Sequence, residues 1–281
     1  MFKIPKKVSD RFKKTVPRFQ KVLAIAKDRD VNESDTVAIL NDILGEVFGF
    51  DKYLEVTSEF AIRSTYCDLA IKVDGKTQFL IEAKAIGIEL KETHVKQAID
   101  YGANHGVQWV VLTNGLDWRV YRIRFEQPIN FDLVFSFDFT TLSASTQKDQ
   151  AMLYTLSKEG LAKEVRETFY EKVQSVNRYV IGQLIVADPV TSVIRRELRK
   201  LADGMQVDID EVCELLRKQV LKREVVEGDD ADAAAKRVGK FYRKSSSPKK
   251  SKKSVEVEKT ESASVVEESI SERLLRESSE G

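Results

Sequence analysis

The odd-numbered positions Cys67, Leu69, Ile71 and Val73 are all apolar, and beyond a short polar break so are Phe79, Ile81, Ala83 and Ala85. Side chains alternate faces along a strand, so each run predicts a strand with its odd row against a core. The rows meet if Leu69 lies opposite Ile81 and Ile71 opposite Phe79, which leaves Asp74-Gly75-Lys76 as a three-residue loop. Asp-Gly by itself signals a two-residue type I′ turn, but that turn pairs Asp68 with Ile81 and throws Asp68 and Glu82 onto opposite faces. The core row decides, because a slip of one residue exposes a whole apolar row. In this register Asp68 is directly across from Glu82, and Lys84 shares their face.

Elsewhere the periodicity predicts a short helix near Phe19–Lys27, then a helix capped by Asn32 with Asp35 three residues later. That helix carries Val37, Leu40, Ile43, Leu44, Val47 and Phe48 on one side and ends at Gly49. Strands follow near 53–62, 65–73 and 77–85, then a helix over 91–101, a continuous apolar strand over 107–112, an Asn114-Gly115 turn, and strands over 118–125 and 131–139. From 146 the pattern is helical, with segments at 148–164, 166–185, 190–203 and 208–222 broken by Asp188-Pro189 and Gly204. The expected organisation is a basic N-terminal helical extension (1–30), an α/β domain (31–142), a helical region (146–225) and a charged, disordered tail (226–281) with a transient helix at 269–276.

Composition changes this picture little. Forty-six Lys and Arg balance 45 Asp and Glu, so net charge points to no partner, but the distribution is uneven. Residues 1–27 hold nine Lys or Arg against Asp10 alone, and residues 236–253 hold nine with no acid. Such basic ends suit a polyanion, and are also what ordinary solvated arms look like. Cys67 and Cys213 give neither a disulfide framework nor a metal-binding spacing, which fits a reducing cytoplasm. No apolar run approaches the roughly 18 residues of a membrane span, and the start lacks the apolar region of a signal peptide, so a soluble, cytoplasmic protein is expected.

The candidate chemistry lies on the hairpin. Carboxylates opposed on neighbouring strands repel unless a cation joins them. Asp68, Glu82 and Lys84 on one face are the groups that a metal-dependent phosphodiesterase needs; a half-exposed sheet face with ordinary charges is the plainer reading. Glu33 falls on the apolar side of its helix, pointing inward or serving the helix dipole. Gln97 and Tyr101, four apart on the following helix, project together. His94 and His105 have no ligand spacing, and Cys67 is expected to face the core as a small hydrophobe.

Taken together, Asp68, Glu82-Ala83-Lys84, Gln97-x-x-x-Tyr101 and Thr113-Asn114-Gly115 before a Trp-containing strand resemble the N-terminal nuclease domain of type I restriction enzyme R subunits, within the PD-(D/E)xK superfamily. Asn32-Glu33-Ser34-Asp35-Thr36 is similar to the first-helix motif of that family, and the resemblance covers about residues 30–140. It implies a restriction-endonuclease-like mixed sheet flanked by helices, and a Mg²⁺-dependent DNA nuclease in which Mn²⁺ can substitute. Asp68, Glu82 and the Ala83 carbonyl would hold the metal, with Glu33 in support. Lys84 would orient or deprotonate the attacking water, and Gln97 and Tyr101 would position the DNA backbone or the lysine. The implied partners are DNA and other restriction-system or motor subunits. Gly75-Lys76-Thr77 has Ala70 where a P-loop needs its first glycine, so no ATP use is expected. The alternative is a non-catalytic nucleic-acid-binding, regulatory or assembly protein that keeps the fold.

Overall fold

The computed structural model describes residues 3–62, 65–201, 203–204 and 206–246. The chain divides into two compact units at Asn177/Arg178. The first contains helices α1 (Lys6–Asp28) and α2 (Glu33–Glu46) and strands β1 (Val56–Ile62), β2 (Thr65–Val73) and β3 (Lys76–Ala83). Helix α3 (Glu92–His105), strands β4 (Trp109–Thr113), β5 (Asp117–Arg124) and β6 (Asn130–Asp138), and helices α4 (Gln147–Leu156), α5 (Lys158–Leu161) and α6 (Val165–Ser175) complete it. The six strands form one mixed sheet in sequence order, antiparallel except for the β3–β4 pair, which α3 links as a crossover. This is the expected α/β architecture.

The hairpin register is as expected: Leu69 pairs with Ile81 and Ile71 with Phe79. The loop is not. Val73 pairs with Lys76, so the turn has two residues, Asp74 (φ 51°) and Gly75 (φ 74°), both left-handed as a type I′ turn requires. Turn and core are reconciled by an irregularity after Ile71: Lys72 pairs with Thr77, leaving Gln78 as an extra residue on β3. Arg166 of α6 holds this bulge, donating to the Gln78 carbonyl at 2.9 Å and to its side-chain oxygen at 3.2 Å while lying over the Phe79 and Trp109 rings. Arg166→Met is expected to cost about 1–3 kcal/mol, because the bulged carbonyl loses its charged donor; a urea denaturation midpoint unchanged from wild type would show that the bulge does not depend on it.

Both sheet faces are covered. On one, Leu69, Ile71, Phe79 and Ile81 pack with α2 (Leu40, Ile43, Leu44) and with α1. Helix α1 is much longer than the short helix expected near Phe19–Lys27. It runs unbroken through Pro17 and buries Val8, Phe12, Val16, Phe19 and Leu23, an i, i+4, i+8, i+11, i+15 stripe. Pro17 is exposed, so the carbonyl that loses its amide partner faces water. Arg11 ties α1 inward, donating to the Val47 carbonyl (2.9 Å) and to both carboxylate oxygens of Glu159 (2.7 Å each). The unit also extends past the boundary expected at 142–146, since Leu153, Leu156, Val165 and Tyr170 of α4 and α6 join the same core.

On the other face α3 supplies Val95, Ala98 and Ile99 against Val110, Leu112, Tyr121 and Ile123. A neighbouring cluster joins Cys67, Ala70, Leu80 and Val107, with Tyr101 packed on it. Cys67 is buried as expected, but against α3 rather than with Leu69 and Ile71.

The second unit has helices α7 (Arg178–Ile185), α8 (Asp188–Leu201), α9 (Ile209–Leu215), α10 (Arg223–Val226) and α11 (Asp229–Ser246), with a π-helical turn at Leu216–Val220. Helix α11 lies where the sequence reads as a disordered tail: its Ala234 and Val238 pack with Val180, Tyr179 and Leu184 of α7. The helix expected at 269–276 lies outside the described residues. No described helix is long and apolar enough to cross a membrane.

Candidate active site

The β2–β3 ladder closes at Leu69/Ile81, and one step further the two acids become neighbours. Instead of another backbone pair, the Asp68 carboxylate accepts the Ala83 N–H at 2.7 Å. On its far side β3 stays anchored to β4, with Glu82 beside Leu112, Ala83 beside Thr113, and the Lys84 N–H donating to the Thr113 carbonyl at 2.9 Å. Asn114 fixes the chain that leaves the site: its amide donates to the Ile88 carbonyl (2.9 Å) and the Ile86 carbonyl (3.4 Å), while its oxygen accepts the Leu116 and Asp117 N–H groups.

Burial separates the two acids. Glu82 has 2% of its side chain exposed and Asp68 is half-buried. Lys84, itself 13% exposed, places Nζ 2.5 Å from Glu82 Oε1 and 3.8 Å from Glu33 Oε2. Glu33 reaches it from the first turn of α2, where the Asn32 side chain caps by accepting the Asp35 N–H at 2.9 Å. Its side chain is 49% exposed, so it faces the site from the solvent side.

The electrostatics follow. Burial pushes the Glu82 carboxyl up to about 7; the Lys84 hydrogen bond opposes this, and the Asp68 and Glu33 charges add to it. For Lys84, burial alone would lower the pKa, but the hydrogen bond to Glu82 and the charges of Glu82, Glu33 and Asp68 raise it above its ordinary value. It is therefore an ammonium at neutral pH. His94, at the start of α3, is held below its ordinary value by burial and by the Lys84 and Lys91 charges. It borders this group, which its lack of ligand spacing in the sequence did not reveal; its Nδ1 accepts the Lys91 N–H at 3.2 Å. His105 sits at the far end of α3.

On α3, Gln97 and Tyr101 do meet: the amide donates to the phenol oxygen at 3.0 Å. Tyr101 packs on the Cys67 cluster, so its ring belongs partly to the core.

Among the described residues no group of three or more His, Cys, Asp or Glu side chains is arranged to hold a metal ion. What the site offers is two neighbouring carboxylates and the β3 backbone. Glu82 Oε2 is buried with no hydrogen-bond partner, a carboxyl oxygen left unsatisfied in a low-dielectric setting. These are hard oxygen donors, and Mg²⁺ accepts as few as one or two carboxylates because it keeps most of its waters. The donor set therefore fits such an ion.

No curated protein and no solved structure matches the chain. Residues 45–132, the stretch that carries Asp68, Glu82, Lys84, Gln97, Tyr101 and Asn114, match the family model of the type I restriction enzyme R protein N terminus.

Proposed function

We propose that this protein is a Mg²⁺-dependent deoxyribonuclease, with a restriction-related role, that hydrolyses DNA phosphodiester bonds at the β2–β3 hairpin. The observation that carries the reading is the convergence of Glu33, Glu82 and Lys84 beside Asp68, with one buried Glu82 oxygen left without a partner.

In this reading Asp68, Glu82 and the Ala83 carbonyl hold Mg²⁺, for which Mn²⁺ can substitute. When bound, the ion lowers the pKa of water and neutralises the scissile phosphate. Lys84, protonated at neutral pH, donates to a non-bridging phosphate oxygen and steadies the charge that grows there during attack; its raised pKa makes it a poor base. Glu33 keeps the ammonium aimed at that position. The Tyr101 hydroxyl, oriented by Gln97, donates to a phosphate of the DNA backbone. The reading places the protein in the cytoplasm, with DNA and further restriction-system subunits as partners.

Supercoiled plasmid incubated with the purified chain tests it. Nicked or linear product in Mg²⁺ or Mn²⁺ and none in EDTA is the expected result. DNA that is retarded in a gel but uncut in every divalent ion would favour the non-catalytic binding protein instead.

A further inference from the structure

Nine Lys and Arg and no acid occupy residues 236–253, and α11 carries five of them. On α11, Lys236, Arg237, Lys240, Arg243 and Lys244 are all exposed, with Phe241 exposed (61%) among them. Lys236, Lys240 and Arg243 follow i, i+4, i+7 spacing, and Lys244 continues the row, so the cations form one face about 12 Å long at 1.5 Å per residue. Among the described residues, Lys236, Lys240 and Lys244 take part in no ion pair. Like charges four apart destabilise a helix by a few tenths of a kcal/mol each, so the row weakens α11 rather than supporting it. On helix α8 an acid sits among the cations: Arg196 and Lys200 pair with Glu197, while Arg195 and Arg199 form no ion pair among the described residues.

The opposite side of α11 is already used. Ala234 and Val238 pack against α7, so α11 has no spare apolar face to insert into a membrane surface. What remains outward is positive charge, including three lysines in no ion pair, with one aromatic ring, and the sequence adds Lys249, Lys250, Lys252 and Lys253 beyond it. We propose that the outer face of α11 is a second DNA-contacting surface, gripping phosphates without reading sequence. It lies outside the stretch that matches the restriction family and rests on the proposed function only in taking DNA as the partner. Its role is to hold substrate to the protein whatever the hairpin site does.

The test is binding of the full chain to a labelled duplex in EDTA across a salt series, which needs no cleavage. Each lost phosphate contact lowers the slope of log K against log salt by about 0.9. Lys236→Gln/Lys240→Gln/Lys244→Gln, which keeps helix-compatible side chains, is expected to reduce that slope by about 2 to 3 and to weaken binding about tenfold or more near 0.15 M salt. The matched control is Lys13→Gln/Lys14→Gln/Lys21→Gln on the exposed side of α1, which removes the same charge and is expected to leave the slope unchanged. An unchanged slope in the α11 variant overturns the inference, and so does an equal loss in both variants. So would salt-sensitive binding to phosphatidylserine vesicles that the α11 variant loses while its DNA affinity stays intact. A chain that never cuts plasmid but shows the α11-specific loss would retire the nuclease reading and keep this one.

Discussion

Asp68→Ala is expected to remove divalent-dependent cleavage by about three orders of magnitude or more while leaving the fold in place. If Asp68 and Glu82 hold the ion as proposed, losing one of the two carboxylates loses both the site's affinity for it and the position of the water, each worth several kcal/mol in such reactions. Stability is a separate matter, because Asp68 is only half-buried and accepts the Ala83 N–H at the open end of the hairpin. The alanine variant forfeits one charge-assisted hydrogen bond, about 1.5–3 kcal/mol before any relief of repulsion with Glu82. Its circular dichroism spectrum should therefore match wild type even where its cleavage is undetectable.

The second large effect is on stability and follows from Glu82. Its carboxyl, ordinarily near 4.5, is pushed up to about 7 by burial. Between those values the folded protein holds a proton that the unfolded chain has released. The unfolding free energy therefore falls as pH rises through this window. The shift corresponds to about 3 kcal/mol. In EDTA, Glu82→Gln should equal wild type at pH 4.5 and exceed it by about that amount at pH 8, since glutamine cannot acquire the buried charge. Urea denaturation of both proteins at the two pH values reads the difference directly. Wild type and variant falling in parallel would mean that Glu82 ionises at an ordinary pH. Mg²⁺ should act in the opposite sense on wild type, stabilising more at pH 8 than at pH 4.5, because only the charged carboxylate attracts it.

Much of this was legible in the chain itself, and the failures are as informative. Period-two alternation was enough to set Leu69 against Ile81, because burying one whole row outweighs any local preference. The Asp-Gly signal and the core row look like rivals in the sequence, but Gln78 bulges so that both hold, and the arginine that holds the bulge lies 88 residues further along the chain. No local pattern carries that partner. Pro5 and Pro17 suggest a short first helix on local signals, whereas the Val8, Phe12, Val16, Phe19 and Leu23 stripe, also present in the sequence, sets the length of α1 once packed. Charge likewise obscures α11, whose Ala234 and Val238 are spaced for burial amid polar residues.

At the site, the meeting of Asp68, Glu82 and Lys84 could be inferred from strand parity, and that of Gln97 with Tyr101 from helical spacing. What could not be inferred is the asymmetry of the two acids. Glu82 is buried while Asp68 is half-buried, a difference that alternation, which marks this face only as partly polar, does not carry. Nor does the sequence show that Asn114 clamps the Ile86–Ile88 carbonyls behind Lys84, since that contact crosses 26 residues.

Cleavage of one supercoiled plasmid by wild type and Asp68→Ala, side by side over a Mg²⁺ titration, bears most directly on the site. The account predicts product from wild type alone, appearing with added Mg²⁺ and abolished by EDTA. Equal cleavage by the two proteins, or cleavage by wild type that persists in EDTA, would contradict it.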